Sequence, residues 1–529
     1  MRASTDVHDA VPSSLSIQEL MRPEAFPHAV DRLELRETHI SWVILTGSFA
    51  YKVKKPVKFD FIDASTLQRR RHYCEEEVRL NRRLAPELYL DVVPIHFADG
   101  RAVIGGNGPA VEYAVRMRQF DASGELASLL TRRAVDGAEL AALAELLAEF
   151  HLRAAVSAWD GVADKTQRMF DAVLGNLAQL MAHVGPDEAT AKLERLIEWT
   201  HDKASALEPS FQVRERSGFI RECHGDLHVG NIVRLQQRLV PFDCIEFDPL
   251  LRWIDVVSDT AFLVMDLASH ERPDLAFMLL SRYLEVTGDY DGLRLLPFYA
   301  VYRALVRAKV DAISAEQVPA RATEFRERLQ RRIDAATTWM NPSQPRLILM
   351  HGPSGSGKSW LSQRLVPTVG AVRIRSDLER KRLAGIAAER TAAAPVRQGI
   401  YSPEFSDRTY GRMADCAEAC LLAGINVIVD AAFLDAADRE LFRTLANRMR
   451  VPVAIVSCQA DPQTLASRLE ARSVGRKDPS DANLSVLNMQ LREITAFNPS
   501  EQRRVVAIDT NAPHPVERAA AAIDTLCSA

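Results

Sequence analysis

The sequence predicts two folds in succession, a mostly helical part that carries a small sheet and then a doubly wound α/β part. Three observations predict this arrangement. Alternating strand patterns lie between Leu33 and Met117. Helical periodicity fills most of 121–340. After residue 346, short apolar runs (RLILM, VRIR, INVIVD, PVAIVSC, RVVAID) alternate with helical stretches, which is typical of buried parallel strands connected by helices.

The composition limits the class of protein. The 529-residue chain is 47% apolar and 26% charged, which excludes a largely disordered or fibrous protein. A formal net charge of −4 does not predict nucleic-acid binding by the whole chain. No apolar run approaches the roughly 18 residues of a membrane span, and the N-terminus lacks the apolar segment of a signal peptide. Since the seven cysteines are scattered, we expect a reducing, cytoplasmic setting.

The small sheet is predicted from strand patterns on both sides of one helix. THISWVIL and FAYKVKKPV are expected to form two strands joined by a turn at Thr46-Gly47. The helix follows, with Ser65 and Gln68 at capping-box spacing and Pro86 as its stop. DVVPI, RAVIG and VEYAVRM complete the sheet, with GGNG as a turn.

Changes of pattern set the expected boundaries. The helical stretches ELAALAELLAEFHLRAA and LERLIEWTHDKASAL belong to the first part. The polar segment Asn341–Pro345 contains two prolines between a helix and a strand, which favours a linker. The expected divisions are a flexible tail (1–14), a first domain (15–338) with a small lobe (about 30–120) and a large lobe (about 121–338), a linker (339–345) and a second domain (346–529).

A phosphate-binding loop opens the second domain. The segment GPSGSGKS, called the P-loop below, has the spacing GxxxxGK[ST] between the strand RLILMH and the helix WLSQRLV. Its glycines allow backbone N–H groups to face phosphates, Lys358 reaches the β/γ oxygens and Ser359 can bind Mg²⁺. ATP and Mg²⁺ are therefore the expected cofactors. The predicted nucleotide-binding residues here are Gly352, Pro353, Ser354, Gly355, Ser356, Gly357, Lys358 and Ser359.

Further polar residues in this domain favour a kinase over a hydrolysing switch. Asp377 ends the second strand, where it can accept a substrate hydroxyl proton or cap the next helix. Arg468, Arg472 and Arg476 follow the fourth strand at i, i+4 and i+8. They can close over the transferring phosphoryl group or form a solvated face. Asp430 ends the third strand and can support Mg²⁺ or cap a turn.

The first domain carries a second phosphotransfer pattern. HGDLHVGN, residues 224–231, lies between the apolar FIREC and IVRLQ and is called the catalytic loop below. Kinase-type transfer uses an Asp with an Asn five residues later, so Asp226 is expected to take the hydroxyl proton and Asn231 to bind metal. Asp243 follows Asp226 by 17 residues and can supply the second metal ligand. His224 is expected to orient the loop; the alternative is a metal site with His228.

A strand lysine and a helix glutamate are also expected to pair. Lys52 in AYKVKK fits the strand position best, with Lys54 in reserve on the same face. Glu77 falls in the apolar stripe of its helix, where it needs a buried partner. Lys52 is that candidate partner. Glu75 and Glu76 fall among arginines and are expected to be solvated.

The motifs resemble known families. HGDLHVGN followed by FDCIEFD resembles the aminoglycoside phosphotransferase and choline-kinase branch of the protein-kinase-like fold. RSDLERKRLAG, VIVDAAF and RLEAR resemble small P-loop kinases of the chloramphenicol-, gluconate- and polynucleotide-kinase type over roughly 346–510. With TGSFAYKVKKPV and CEEEVRLNRRLAP, nearly the whole chain is similar to fused bacterial proteins described as bifunctional aminoglycoside phosphotransferase/ATP-binding proteins.

The resemblance implies a fold and a set of roles. The implied folds are an N-terminal α+β protein-kinase-like two-lobe fold and a C-terminal α/β doubly wound P-loop NTPase fold of the AAA family. Two features depart from the family pattern: Thr46-Gly47-Ser48 replaces a glycine-rich loop, and Cys-Ile-Glu rather than Phe-Gly follows the FDCIEFD aspartate. The implied roles are Asp226 as base, Asn231 and Asp243 as Mg²⁺ ligands, Lys52 as phosphate contact and Glu77 as its partner.

Together these patterns predict two ATP–Mg²⁺ sites, each transferring a γ-phosphate to a hydroxyl of a small acceptor. The first acceptor is expected to be aminoglycoside-, choline- or sugar-like, and neither a membrane nor a nucleic acid is expected as partner. One alternative is a nucleotide-binding regulator with a degenerate kinase domain and a P-loop switch or ATPase. Another is a nucleic-acid end kinase in the second half, which the arginines at 443–476 keep open. The presence of both Asp226 and Asp377 favours transfer chemistry.

Overall fold

The chain divides into two compact units, Met1–Ala134 with Glu222–Ile254 and Val135–Arg221 with Asp255–Ala529. The predicted tail, 1–14, lies outside the residues that the structure describes, and the predicted domain boundaries stay predictions. The computed structural model describes residues 15–59, 62–157, 162–184, 188–387, 398–475 and 484–528.

Strands occur in three blocks along the described residues, at 34–118, 220–255 and 347–509. In chain order they are β1 (Glu34–Glu37), β2 (Ser41–Leu45), β3 (Phe49–Lys54), β4 (Lys58–Phe59), β5 (Ile62–Asp63), β6 (Tyr89–Ala98), β7 (Arg101–Ile104), β8 (Glu112–Arg118), β9 (Ile220–Glu222), β10 (Ile232–Leu235), β11 (Arg238–Pro241), β12 (Trp253–Asp255), β13 (Leu347–His351), β14 (Ala371–Arg375), β15 (Asn426–Asp430), β16 (Val453–Gln459) and β17 (Val505–Asp509).

Helices fill the two regions between these blocks and then alternate with the last five strands. In chain order they are α1 (Leu67–Asn81), α2 (Leu126–Thr131), α3 (Gly137–Arg153), α4 (Val162–Met181), α5 (Glu188–Arg216), α6 (Pro249–Arg252), α7 (Val256–Ser269), α8 (Pro273–Thr287), α9 (Leu296–Gln317), α10 (Ala322–Met340), α11 (Lys358–Val369), α12 (Ser376–Leu383), α13 (Pro403–Leu422), α14 (Ala436–Met449), α15 (Pro462–Gly475), α16 (Leu484–Glu493), α17 (Pro499–Gln502) and α18 (Pro515–Ser528).

The first unit is built on an antiparallel sheet of six strands in the order β1-β2-β3-β8-β6-β7. The strands predicted from the sequence are present, and β2 and β3 form the expected hairpin. In β3, Lys52 pairs in register with Val115 of β8. Helix α1 packs on one face of the sheet, where Ala50, Cys74 and Val78 belong to one apolar cluster. This packing brings the side chains of β3 and α1 together.

The start and the end of helix α1 differ from the prediction. The side chain of Thr66, not Ser65, caps the helix by accepting the backbone N–H three residues on at 3.3 Å. Ser65 Oγ instead donates to Asp63 at 2.6 Å, so the next hydroxyl serves as the cap. The helix ends at Asn81, ahead of Pro86, because the chain leaves it through tight turns.

The helical part of the second unit follows the predicted periodicity. ELAALAELLAEFHLRAA forms α3, which packs against α8, and LERLIEWTHDKASAL lies within α5. Phe298 packs edge-on against Phe170 and Phe211, with ring centroids 5.2 and 5.6 Å apart. Among the described residues, no helix has the length and apolar character needed to cross a bilayer. All seven cysteines are free thiols.

The second unit also contains a parallel sheet of five strands in the order β14-β15-β13-β16-β17. These are the five apolar runs predicted from the sequence, and β13 lies at the centre between β15 and β16. Ile348, Ile428 and Val456 form an apolar cluster with α11 and α18. The carboxyl ends of β13, β14 and β15 share one edge of the sheet, where ligands of such folds bind. The predicted fold class, protein-kinase-like α+β followed by doubly wound P-loop α/β, is confirmed.

Candidate active sites

The catalytic loop of the first unit is held by its own polar residues. Asn231 Nδ2 donates to Asp226 Oδ2 at 2.9 Å and to the Asp226 carbonyl at 3.0 Å. His224 is fully buried. Its Nε2 donates to the Phe242 carbonyl at 2.9 Å, and its Nδ1 accepts the Asp226 N–H at 3.3 Å. Because both ring nitrogens bond to backbone groups, neither is left to bind a metal. His224 therefore orients the loop, and the alternative of a metal site shared with His228 is excluded.

The turn of the catalytic loop requires glycine at one position. Gly225 has φ of +88°, a region that L side chains rarely adopt. A Cβ there would lie 2.7 Å from the Leu251 carbonyl. The close approach of these two backbone segments fixes the position of Asp226. The Asp226 side chain stays 35% exposed and therefore accessible to a substrate.

Asp243 lies just after β11 with an unusual backbone conformation. Its φ is +65°, a conformation that costs free energy for a residue other than glycine. Residues with such strained backbone occur mostly at functional sites. Its N–H donates to Tyr89 Oη at 3.1 Å. The preceding Phe242 N–H donates to the Asn231 carbonyl at 2.9 Å. This bond ties the segment of Asp243 directly to the catalytic loop.

The donor set of this site fits Mg²⁺. Asn231 uses its amide nitrogen toward Asp226, which leaves the amide oxygen as the atom able to bind a cation. The Asp243 carboxylate is 40% exposed. Mg²⁺ prefers such oxygen ligands and keeps several waters. Asn231 and Asp243 therefore have the chemistry of the metal ligands that the sequence predicts.

Two lysines share one buried glutamate beside this site. Lys52 Nζ lies 2.8 Å from Glu77 Oε1, as predicted, and 2.5 Å from Asp243 Oδ1. Lys54 Nζ lies 2.5 Å from Glu77 Oε2 and also pairs with Glu246. Only Lys52 of the two reaches Asp243 in these ion pairs. Glu246 was not among the predicted site residues, although an acid in the apolar run PFDCIEF indicates a buried partner.

Electrostatics keep Lys52 and Glu77 ionised, whereas burial raises the pKa of Glu246. Burial alone would raise the pKa of Glu77, but Lys52 and Lys54 lower it to about 2. Burial would lower the pKa of Lys52, but Asp243 and Glu77 raise it well above its usual value. Lys52 is therefore a fixed cation next to Asp243, the carboxylate predicted to bind metal.

Glu75 and Glu76 have different environments. Glu75 is exposed, as expected. Glu76 is half-buried and pairs with Arg79 at 2.8 Å and Arg252 at 3.2 Å. The prediction of a solvated Glu76 is wrong. The buried Arg252 guanidinium requires an acidic partner, and Glu76 lies on the side of α1 that faces it.

We expect Lys52 and Lys54 to separate function from stability. Lys54→Met leaves Glu77 and Glu246 buried with one cation fewer, so the free energy of unfolding should fall by about 3–5 kcal/mol. Lys52→Met keeps the Lys54–Glu77 pair, so it should lower the transfer rate with a smaller loss of stability. Urea unfolding and turnover of both variants measure this. The opposite pattern would make Lys54 the phosphate contact.

The β2–β3 turn takes the place of a glycine-rich loop. Gly47 N–H donates to Gln119 Oε1 at 2.9 Å, and Thr46 Oγ1 donates to the Phe49 carbonyl at 2.8 Å. The tip is thus fixed to the segment after β8. The Gly47 N–H is therefore already engaged within the protein.

The P-loop connects β13 to α11 in a form suited to phosphate. Gly357 is the N-cap of α11 and provides no side-chain cap, so the first helix N–H groups are available to an anion. Gly352 has φ of +136°, and a Cβ there would lie 2.6 Å from the Cys458 carbonyl. Lys358 Nζ donates to the carbonyls of Gly352 and Pro353 at 2.7 and 2.9 Å. The amine therefore lies over the loop.

Ser359 and Asp430 provide oxygen donors beside the P-loop. Asp430 ends β15, is buried, and its Oδ2 accepts from Ser362 Oγ at 3.0 Å. The Arg373 guanidinium lies 3.9 Å from this carboxylate and donates to the Ser359 carbonyl at 3.1 Å. A hydroxyl and a carboxylate at this corner fit Mg²⁺, and the support of Mg²⁺ by Asp430 stays a prediction.

Asp377 lies at the predicted edge of the sheet. It occupies the first turn of α12, and the N-cap of that helix is Arg375, without a side-chain cap. The alternative that Asp377 is the cap is therefore wrong, because the helix starts two residues earlier than the pattern indicated. Asp377 remains half-buried after β14, and its role as a base stays a prediction.

The described arginine of α15 is not part of a solvated face. Arg468 donates to the P-loop carbonyl of Gly355 at 3.2 Å, to Thr510 Oγ1 at 2.9 Å and to Asn511 Oδ1 at 2.7 Å. It joins the P-loop to the loop after β17, and its action on the phosphoryl group stays a prediction. The other predicted arginines, the side chain of Arg472 and all of Arg476, lie outside the described residues.

One contact to the P-loop was missed by sequence reasoning. Gln490 of α16 accepts the Ser354 N–H through its Oε1 at 2.7 Å. A single glutamine in an amphipathic helix carries no pattern that distinguishes it from a surface residue. It nevertheless holds the loop that is expected to bind phosphate.

Comparisons with known proteins place these sites in context. Residues 347–497 match the AAA domain family. The uncharacterized protein Rv2004c of Mycobacterium tuberculosis and the uncharacterized protein Mb2027c of Mycobacterium bovis are each 32% identical over 452 residues. The alignment covers 84% of this chain and 87% of each relative. A match of this length includes both the catalytic loop and the P-loop.

Two solved structures are also similar. A gluconokinase from Sinorhizobium meliloti is 22% identical, and the match covers 35% of this chain and 95% of that chain with a TM-score of 0.27. A choline/ethanolamine kinase family protein from Mesorhizobium loti is 14% identical, and the match covers 59% of this chain and 88% of that chain with a TM-score of 0.36.

Proposed function

We propose that this chain, which belongs to the family of the uncharacterized mycobacterial proteins Rv2004c and Mb2027c, is an ATP- and Mg²⁺-dependent phosphotransferase with two sites. The first site phosphorylates a hydroxyl of an aminoglycoside-, choline- or sugar-like acceptor, and the second is another small-molecule kinase. The observation that carries the proposal is that the predicted catalytic and metal-binding residues of the first site lie together. Asn231 donates to Asp226, and Lys52 pairs with Asp243. The Phe242 N–H donates to the Asn231 carbonyl and so joins the two pairs. The free thiols support a reducing, cytoplasmic location.

In the first site, each residue has a separate task. Asp226 accepts the proton of the acceptor hydroxyl, held in place by Asn231 and the buried His224. Asn231 and Asp243 would hold Mg²⁺, which neutralises charge on the phosphates when bound. Lys52 keeps its positive charge through Glu77 and Asp243 and contacts a phosphate.

In the second site, the P-loop amides and Lys358 bind the phosphates, and Ser359 with Asp430 would hold Mg²⁺. Asp377 accepts the acceptor proton at the edge of the sheet. Gln490 and Arg468 lie outside the P-loop and stabilise its conformation through hydrogen bonds to its backbone.

The described arginines favour a small acceptor over a nucleic acid. Arg443 donates to Ser500, and Arg448 pairs with Glu418 at 3.0 Å. Arg443 and Arg468 thus have partners within their own unit. A nucleic-acid end kinase needs basic side chains directed at phosphates of the substrate.

The test counts nucleotides and follows transfer. The full chain should bind two ATP–Mg²⁺ per molecule, and Lys358→Ala should reduce this to one. ADP release should increase with a hydroxyl compound from a panel of aminoglycosides, choline, sugars and oligonucleotide 5′ ends. ADP release that no compound changes would contradict transfer and favour the regulator. Phosphorylation of oligonucleotides alone, weakened by salt, would favour the end kinase.

A further inference from the structure

Helix α8 and the 3-10 helix Tyr290–Leu295 cover the free edge of the parallel sheet. β14 is the edge strand. At Arg373 its N–H donates to Ser281 Oγ at 3.0 Å, and its carbonyl accepts from Tyr290 Oη at 3.0 Å. Phe277 of α8 packs against the apolar cluster of the sheet. The edge that parallel sheets otherwise leave unpaired is therefore closed by side chains from helices that precede the P-loop in sequence.

The side chain of Arg373 connects α8 to the metal-binding corner of the P-loop. Its Nε and Nη2 both lie 2.7 Å from Oε1 of the buried Glu285. Its Nη1 donates to the Ser359 carbonyl at 3.1 Å and to Ser362 Oγ at 3.3 Å. The same Nη1 lies 3.9 Å from Asp430 Oδ2. One guanidinium is thus shared between a helix acid and the two predicted metal-site residues.

The distances decide which acid holds the arginine. A short charge-assisted hydrogen bond from Nε and an equally short ion-pair contact from Nη2 join Arg373 to Glu285, whereas Asp430 lies beyond hydrogen-bond distance. Glu285 also binds Arg282 at 3.0 Å, and its carbonyl accepts from Arg382 at 2.8 Å. Burial would raise the pKa of Glu285, but the guanidinium groups of Arg373, Arg375 and Arg282, Arg373 first, lower it. Glu285 therefore keeps its charge and its hold on Arg373.

We propose that Glu285 is a positioning residue for the P-loop site, which holds the Arg373 guanidinium away from Asp430 so that this carboxylate serves Mg²⁺. Without Glu285, the nearest anion for the buried Arg373 is Asp430, and an ion pair there would compete with the metal. The second site thereby depends on a helix that precedes the P-loop in sequence. The inference rests on the proposed function only in that ATP–Mg²⁺ binds the P-loop.

The test measures the gain in ATP affinity that Mg²⁺ produces at the P-loop, in the full chain carrying Asp243→Asn to silence the first site. Glu285→Gln should reduce this gain by about tenfold or more, as loss of a partner behind a metal ligand does. Glu285→Gln combined with Arg373→Met should restore it, because the competing guanidinium is gone. A merely structural role predicts that the double variant is as impaired as the single one.

Glu145→Gln is the matched control. Glu145 pairs with the same Arg282 at 2.7 Å but not with Arg373, so the Mg²⁺ gain should not change. An unchanged gain in Glu285→Gln, or no recovery in the double variant, overturns the proposal. If Glu285→Gln does not fold, Arg373→Met is measured alone. The proposal requires that Arg373→Met keep the Mg²⁺-dependent gain in ATP affinity, and loss of this gain overturns the proposal. ATP binding that survives Lys358→Ala would instead overturn the proposed function of this site.

Discussion

Asp226→Asn, in the full chain carrying Lys358→Ala, is expected to lower phosphoryl transfer by about 10²-fold or more, because an amide cannot accept the hydroxyl proton. ATP affinity should change little. The amide oxygen of the new residue can still accept from Asn231 Nδ2, which now bonds Asp226 Oδ2 at 2.9 Å, so the loop keeps its shape. A lower turnover number with an unchanged KM for ATP is the expected signature.

Asp248→Asn provides the matched control for this measurement. Asp248 lies in the same segment and accepts the Leu250 N–H at 2.8 Å as the N-cap of α6. It has no place in the proposed chemistry, so turnover should persist. If Asp226→Asn turns over as fast as the parent, Asp226 has no part in transfer and the regulator alternative gains.

The local part of these sites was predictable from sequence because it depends on spacing and period. A Gly-rich spacing between a strand and a helix locates Lys358, and the Asp–Asn interval locates the catalytic loop. The apolar stripe of α1 singles out Glu77 among three consecutive acids, and its contact with Lys52 at 2.8 Å agrees. Each of these inferences uses residues within one or two neighbouring elements.

The partners that act across long sequence separations were not predictable in this way. Glu246 meets Lys54 across 192 residues, and Glu285 meets Arg373 across 88. Periodicity indicates that such an acid is buried but not which cation it meets, since that choice depends on how elements pack. The predicted capping residue of α1 was wrong for a local reason, because the Ser65 hydroxyl that the pattern assigned to the cap donates to Asp63 instead.

Asp377→Asn is expected to distinguish a kinase from a switch in the second domain. A site that only activates water needs no carboxylate after β14, whereas an acceptor hydroxyl must lose its proton while aligned with the γ-phosphate. Asp377 sits in the first turn of α12, and Arg382 of that helix is bound to the Glu285 carbonyl. The carboxylate is therefore presented from a fixed helix.

The measurement uses the full chain carrying Asp226→Asn, so that only the second site reports. With an active acceptor supplied, Asp377→Asn should lower transfer by about 10²–10⁴-fold while ATP affinity stays nearly constant. Asp524→Asn, on the exposed side of α18 where it pairs with Arg346, should leave transfer unchanged. Brisk hydrolysis with water alone, equal in the parent and in Asp377→Asn, would make the domain an ATPase. The P-loop would then drive a conformational switch, and Asp377 would serve only to favour the helix N-terminus with its negative charge.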